Sequence, residues 1–511
     1  MTLLRINTPT IIRPSCLTPL LALTVALSGC AVMRSYDDEL KQTLNLVSQG
    51  QIDQALQHHE ANNAGGDFDL LYYLEKGELL RLKNQYKDSV GTWLLADQKV
   101  NEWENEAKIR AGAILENIGA VTLNDKTRRY DGHDYEKVML STRLALNHIL
   151  SGDWDLARTE IKKTHEREAV IAEINAKDAE ALEQESKEQG ITTTFKDLNG
   201  YPVETLNAPE VTALKNGYQS AFSHYLAGFV YEALNEPGLA APGYRQAIEL
   251  QPNMKILEDG LATLETRPGI RKPTETDVLF VVESGSAPAL SSITIPVPVI
   301  VSNLGVIPIS FPVLHSDPSR TVQPGTLAID GRDTLPLAAI TSLDALSKRA
   351  LRDDMPGIIV RGILRAAAKA MSQKALMDQG GNVALAGIAL NIVNVVTESA
   401  DERTWRTLPN TISIARATLP SGKHDISIGG NRQAVDIQGS HAVVVARLLG
   451  NQAYWSQPLY GAKMPVYAAP AVMQPSQNNT ATATVNPVKK NPSTSKKKKK
   501  TPKKSANPTK G

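Results

Sequence analysis

The densest grouping of side chains able to do chemistry falls in two clusters late in the chain. Arg352, Asp353, Asp354 and Arg361 form one; Glu398, Asp401, Glu402, Arg403 and Arg406 form the other. Paired carboxylates beside arginines can move protons for a substrate or hold an anion. The same residues can also make an ion-pair network joining a helix to a returning strand, and that reading is preferred. Trp405, between Arg403 and Arg406, reads as a packing anchor. No other spacing supports a reaction. The nine histidines show no metal arrangement such as HExxH, and adjacent His58 and His59 point in different directions on a helix. Residues 282–288, VESGSAP, lack the G-x-S-x-G of a nucleophile elbow, and there is no phosphate-cradling glycine loop. The sequence therefore nominates no catalytic residue, no metal ligand and no cofactor, and predicts a protein that is not an enzyme.

Helices and strands must position these clusters. Residues 343–379 read as helix broken at Pro356, with an amphipathic second part. Residues 382–396, NVALAGIALNIVNVV, read as a second helix, too short to span a membrane. Its apolarity and its three asparagines predict burial between a sheet and other helices. DVLFVVES (277–284) reads as a buried strand. SSITIPVPVIV (291–301) and GVIPISFPVLH (305–315) alternate β-branched residues with proline, which removes a ladder donor and predicts edge strands or extended segments. Strands return at 411–420, 425–428 and 441–449. Residues 268–455 thus predict an α+β domain, a sheet or small sandwich packed on a helical pair.

Upstream, residues 31–265 carry apolar spacings of three and four with few interrupting Gly or Pro. The stretch YLAGFVYEALNEPGLAAPGYRQAIELQP (225–252) resembles a tetratricopeptide repeat, a 34-residue helix–turn–helix unit. Its small, aromatic and helix-ending positions are filled by Gly228, Tyr231, Ala240, Tyr244, Ala247 and Pro252. His224 stands where the family prefers a bulky aromatic. Weaker copies centre on Ala55, Ser89 and Ala157, with Gly77, Trp93 and Ala96 around the second. The phase breaks in 166–220, read as a long charged helix, a polar loop and hence an insertion. The resemblance implies an all-α repeat domain over 30–267, whose concave face would hold an envelope protein or peptide.

The front of the chain reads as an address. Leu17–Leu27 is an apolar run preceded by Arg5 and Arg13 without acidic residues, as in a secretory signal peptide covering 1–29. Leu27-Ser28-Gly29-Cys30 resembles the lipobox of bacterial lipoproteins. That resemblance implies cleavage between Gly29 and Cys30 and acylation of the Cys30 thiol, which would anchor the chain in a membrane. Cys16, the only other cysteine, would leave with the signal, so no disulfide is expected. Ala31 rather than Asp after the cysteine implies the outer membrane of a Gram-negative bacterium, with the body facing the periplasm. ESADERTWRTLPNTISIARATLPSGKHDI (398–426) and the ALRDDMPGIIVRGILRAAAKA stretch upstream extend the likeness. Over residues 30–450 the chain resembles an uncharacterised bacterial outer-membrane lipoprotein family with an N-terminal tetratricopeptide-like region, and no activity comes with that resemblance.

Charge separates body from tail. Of 55 Lys and Arg, ten lysines lie between 489 and 510 and two arginines before Cys30, leaving 43 against all 54 acidic residues. Residues 456–511, rich in Pro, Ala, Ser and Lys, predict a disordered basic tail. Behind a signal peptide its partner would be an anionic envelope polymer and not nucleic acid. The expectation is a lipid-anchored periplasmic scaffold or adaptor for a protein partner in envelope assembly. The alternatives are an activator of a cell-wall or polysaccharide-export enzyme, and an enzyme with an unrecognised site in the C-terminal domain.

Overall fold

The computed structural model describes residues 36–64, 68–110, 129–299, 305–316, 323–377 and 399–462. The signal peptide, Cys30, the apolar run 382–396, Glu398 and the Lys-rich stretch all lie outside the described residues. The described residues belong to one compact unit, Met1–Pro465.

The N-terminal helices come in antiparallel pairs. These are α1 (Tyr36–Ser48) with α2 (Ile52–Asn62), α3 (Leu70–Leu82) with α4 (Tyr86–Arg110), and α5 (Asp134–Leu150) with α6 (Trp154–Glu188). After a 3-10 turn at Phe195–Asp197 and short helices α7 (Val203–Leu206) and α8 (Pro209–Thr212), α9 (Ala221–Ala233) pairs with α10 (Pro237–Leu250). Local chemistry fixes the boundaries. Asp69, Asp153 and Ser220 cap α3, α6 and α9, each accepting from a backbone N–H three residues on. The chain reverses within each pair through one left-handed residue, Gly50, Asn84, Gly152 and Asn235 in turn, with φ between 60° and 84°. Only Gly and, at small cost, Asn take that conformation readily. Two more helices follow, α11 (Lys255–Ala262) and α12 (Arg267–Ile270).

The strands are β1 (Glu275–Ser284), β2 (Ala289–Val299), β3 (Gly305–His315), β4 (Thr326–Ile329), β5 (Asp333–Pro336), β6 (Ala338–Ser342), β7 (Thr411–Pro420), β8 (Gly422–Ile428), β9 (Asn431–Ile437), β10 (His441–Leu449) and β11 (Gln452–Trp455). Helix α13 (Leu343–Met377) separates β6 from β7. A five-stranded sheet runs β11-β10-β1-β7-β6, a four-stranded one β5-β4-β8-β9, and β2-β3 stands as a hairpin. In β1, parallel to β10 and antiparallel to β7, alternate residues serve two layers. Val278, Phe280 and Val282 pack with Leu327, Ile329, Ile426 and Ile428 of the four-stranded sheet. Leu279 and Val281, with Ile412, Ile414, Val443 and Val445, pack instead with the helices. A layer of paired helices therefore lies on one face of the central sheet and a second sheet on the other.

Helices and sheet share their largest core. One apolar cluster joins Leu71, Leu74, Leu140, Leu144, Phe222 and Leu226 of α3, α5 and α9 to Leu279, Val281, Ile414 and Val443 of the sheet. Helix α9 is buried along its whole length, and α5 nearly so. The sides of α3, α5 and α9 that carry these residues are thus covered by the chain's own sheet.

Three expectations are corrected. Helix α13 is not broken at Pro356 but continuous through it. Loss of one hydrogen bond and a ring clash cost about 3 kcal/mol. Met355, Ile359 and Ile363, buried on either side of the proline in the core around the β2–β3 hairpin, offset that cost. The loop after α6 is not merely polar: Leu198, Tyr201 and Leu206 pack on Ile295, Ile309 and Phe311 of the hairpin, and the Tyr201 hydroxyl donates to Pro312 O at 2.9 Å. Residues 456–462, placed in the tail from composition, are packed: Ser440 N donates to Ala462 O at 3.0 Å and Ala462 N to His441 O at 2.8 Å. Among the described residues the proline-bearing strands pair only with each other, each leaving one edge without a strand partner, and Pro296 lies opposite Pro308. Pro296, Pro298, Pro308 and Pro312 keep one parity along the hairpin, leaving Ile293, Ile295, Ile307, Ile309 and Phe311 to the other.

Candidate functional site

Where the helices meet the sheet, both ends of β1 carry a charge turned toward the helices. At one end Glu283 is fully buried between Arg81 of α3 (2.5 Å) and Arg143 of α5, with Arg447 of β10 beside it in register. Arg81 also pairs with Glu78 at 2.6 Å. The surrounding guanidiniums hold the Glu283 carboxyl at about 2 despite burial. At the other end Asp277 accepts from Arg416 at 2.6 Å, and Arg416 reaches Glu232 of α9 at 2.9 Å and Tyr244 Oη of α10 at 2.9 Å. Two buried glutamates hold the 404–407 loop against the helices. Glu75 accepts from Arg406 N (2.7 Å) and Thr407 N (3.0 Å), and Glu136 from Trp405 N (2.6 Å). Burial pushes the Glu75 carboxyl up to about 8 against these donors. Trp405 is fully buried, edge-on to Trp93 at 5.9 Å.

These charges are structural, and sequence reasoning missed all of them. A signal did exist: Glu75, Glu78 and Arg81 recur every three residues within LLYYLEKGELLRL, a helix with little other polarity to spend on solvent. Glu232, Asp277 and His441 also lie close enough to share a cation. Arg416 and Arg267, however, already neutralise the two carboxylates, and burial pushes the His441 ring down to about 4. The trio is an ion-pair cluster.

A different arrangement appears at the edge of the same seam. A cleft of about 290 Å³ is lined by the segment before α5 (Arg129, His133), by Leu290 and Leu314 of the hairpin, by α13, and by Asp401. Helix α13 contributes Ser347, Leu351, Asp354, Ile358, Arg361 and Arg365, spaced four and three apart, a single helical stripe. A second cavity of about 430 Å³, lined by Phe68, Tyr73, Lys99 and Glu102, shares Arg129, Tyr130 and Asp131 with the first. Its charges are pre-set: Arg129 lies between Glu106 (2.8 Å) and Asp131 (2.7 Å), and Arg403 grips Asp401 at 2.7 Å with its guanidinium 5.1 Å from the Tyr130 ring centre. Asp354 reaches solvent in the cleft, yet surrounding protein and the Asp134 charge push its carboxyl up to about 6, against His133 and Arg361.

The structure therefore brings Asp354, Arg361 and Asp401 of the two sequence clusters into one cleft, with Arg403 supporting Asp401. Asp353 faces away and pairs with Arg349 at 2.9 Å, and Arg406 turns inward to Asp37 and Ala287 O. Of the repeat positions, Gly228 lies under Tyr244, whose ring would be 2.7 Å from an added Cβ. Tyr231 is buried, Ala240 and Ala247 are fully so, and Pro252 follows the end of α10. His59 is buried and stacked on Tyr72, while His58 Nδ1 lies 3.0 Å from Thr43 Oγ1.

No protein-family model matches the chain, and no curated protein matches it. A solved tetratricopeptide repeat protein from Parabacteroides merdae aligns with 45% of this chain and 99% of that chain, at 11% identity and a TM-score of 0.13. An overlay that loose adds no argument to the helix pairs seen directly. No helix among the described residues is long and apolar enough to cross a membrane.

Proposed function

We propose that this chain is a lipid-anchored, periplasm-facing scaffold of the outer membrane that binds a protein partner in envelope assembly, without chemistry of its own. The anchor is the lipobox-like Leu27-Ser28-Gly29-Cys30, and the tail adds weakly selective electrostatic contact with anionic envelope polymers. The observation that carries the partner site is the cleft along α13. It combines an apolar floor of Leu290, Leu314, Leu351 and Ile358 with fixed charges of both signs, the makeup of a recognition surface. The cleft is preferred to the sheet-facing side of the helices because the apolar residues there already pack on the chain's own sheet. The test is in-cell crosslinking and affinity capture of the anchored protein, with and without residues 489–511 and with Leu351→Arg in the cleft. A discrete envelope protein retained after tail deletion and lost on Leu351→Arg supports the adaptor. Capture of polymer alone, lost with the tail, refutes it. Replacing Cys30 by Ala should release the protein from the membrane fraction; retention there would refute the anchor.

Asp354 favours a second reading. A carboxyl raised to about 6 beside Arg361 suits general acid–base work in an enzyme of the same cleft. Under that reading Asp354→Asn abolishes turnover with thermal stability intact. Under the adaptor reading it weakens partner capture.

A further inference from the structure

The Glu283 cluster is over-supplied with positive charge. The ionic neighbours acting on Arg447 are Glu283, Glu78, Arg143 and Arg81. Among the described residues of the cluster, three guanidiniums thus face two carboxylates, an excess of one positive charge. All five side chains are nearly or wholly buried. The hydrogen bonds do not close either. Arg143 Nε and Nη2 and Arg447 Nε and Nη1 are buried with no partner among the described residues. Arg143 spends only Nη1 on Glu283, and Arg447 only Nη2 on Thr407 O at 3.1 Å. Buried guanidinium donors without acceptors are costly, and an uncompensated buried charge more so.

A small space of about 10 Å³ adjoins the cluster, lined by Arg81, Arg447, Asn84, Tyr86, Tyr454 and Ser456 among others. Its other polar groups are committed: Tyr86 Oη donates to Asn84 Oδ1 (2.6 Å), Ser456 Oγ accepts from Val445 N (2.9 Å), and Tyr454 Oη donates to Val47 O. The unmet donors on its wall are those of Arg447.

We propose that Arg447, with Arg81 and Arg143 behind it, forms a buried binding site for one small monovalent anion, of which chloride is the abundant representative. Size selects the class: the space admits one body of about the size of a water molecule, so the four oxygens of sulfate or phosphate do not fit. Charge then separates halide from water. A water molecule would satisfy donors and leave the excess positive charge uncompensated, whereas a halide satisfies the donors and neutralises the charge. Burial pushes the Arg447 guanidinium down to about 10, as expected of a cation short of counter-charge, and it stays charged at neutral pH. The bound anion would bridge β10 to the helices and so fasten the seam.

Two measurements on the detergent-solubilised full-length protein test this. The first is the thermal unfolding midpoint in sodium chloride against sodium gluconate at equal ionic strength. The midpoint should rise with chloride and level off as for a single site, by a few degrees, and gluconate should not reproduce the rise. Arg447→Gln removes the excess charge and should abolish the difference between the salts. The second is anomalous diffraction from wild-type crystals grown in bromide, with a peak expected within hydrogen-bonding distance of Arg447. Equal midpoints in both salts overturn the proposal, as does a chloride effect that survives Arg447→Gln or a bromide map with no peak at the site. Should Arg447→Gln fail to fold, the bromide peak in the wild type decides.

Discussion

The seam and the cleft are built from the same residue types and use them oppositely. In the seam, Glu283, Arg81, Arg143 and Arg447 are nearly or wholly buried, with Glu283 held between the guanidiniums. In the cleft, Asp354 and Arg361 stand along one helix stripe, and Asp354 is exposed to solvent. Buried charges resist removal of one partner because the rest are stranded, while exposed ones are screened and individually worth little. The contrast teaches that the same charged residue types serve the fold where they are buried and remain reachable by a large partner only where solvent reaches them.

The sharpest way to break the comparison is Glu283→Ala. It strands Arg143 and Arg447 in the interior, while Arg81 keeps Glu78, and should destabilise by about 3–5 kcal/mol, read by urea denaturation; a loss below about 1 kcal/mol would mean the seam is not held by these charges. Its pH signature is fixed in sign. The folded-state carboxyl is lowered to about 2, so its contribution is fully present above the unfolded value near 4.3 and is lost as pH falls through 2. Removing the clasp at the other end of β1 by Arg416→Met strands Asp277 and Glu232, but Arg267 remains beside both. The loss should sit at the lower end of that range, about 3 kcal/mol.

Below these come the helix contacts within the repeat-like pairs. Gly228→Ala puts a methyl 2.7 Å from the Tyr244 ring, and Gly77→Ala one 2.2 Å from Trp93 Nε1. Overpacking of this kind costs about 1–3 kcal/mol, with Gly77 the worse because Trp93 is fully buried and its indole N–H is committed to Leu74 O at 3.0 Å. Equal stability of Gly77→Ala and wild type, by thermal melting, would show that the two helices separate more easily than their contact implies.

How much of this was legible beforehand follows from what each signal averages over. β1 and β10 were readable because strands buried on both faces leave nearly unbroken apolar runs, and Val278 to Val282 is one. The prolines of 291–301 and 305–315 announced free edges. Pairing of the helices was readable from small residues: Ala55, Ser89, Ala157 and Ala240 are all fully buried. Three things were not. Helix continuity through Pro356 depends on apolar neighbours distant in sequence, which no local rule contains. The burial of Glu75, Glu136 and Glu283 depends on donors up to 332 residues away. The covering of the helical array by the sheet depends on how two segments dock, whereas a repeat signature describes only one of them. For the cleft, the two charged clusters were visible and their meeting was half visible: Asp354, Arg361 and Asp401 converge, while Asp353 and Arg406 go elsewhere, a separation set by helix phase and by the loop path past Trp405.

The smallest effect on stability is expected where the effect on function should be largest. Asp354→Asn should leave urea stability within about 0.5 kcal/mol of wild type, as for a solvent-reached side chain outside the core. The direction of its pH effect is opposite to that of Glu283. A carboxyl raised in the folded state contributes stability that is fully present below the unfolded value near 3.9 and is lost as pH rises through about 6. Wild type should therefore lose a little stability relative to Asp354→Asn between those limits, with an amplitude kept small by solvent screening. Asp353→Asn, one residue away and paired outward with Arg349, is the matched control and should show no change in partner capture. If the two variants capture envelope proteins equally, the cleft is a crevice left by docking helices on a sheet.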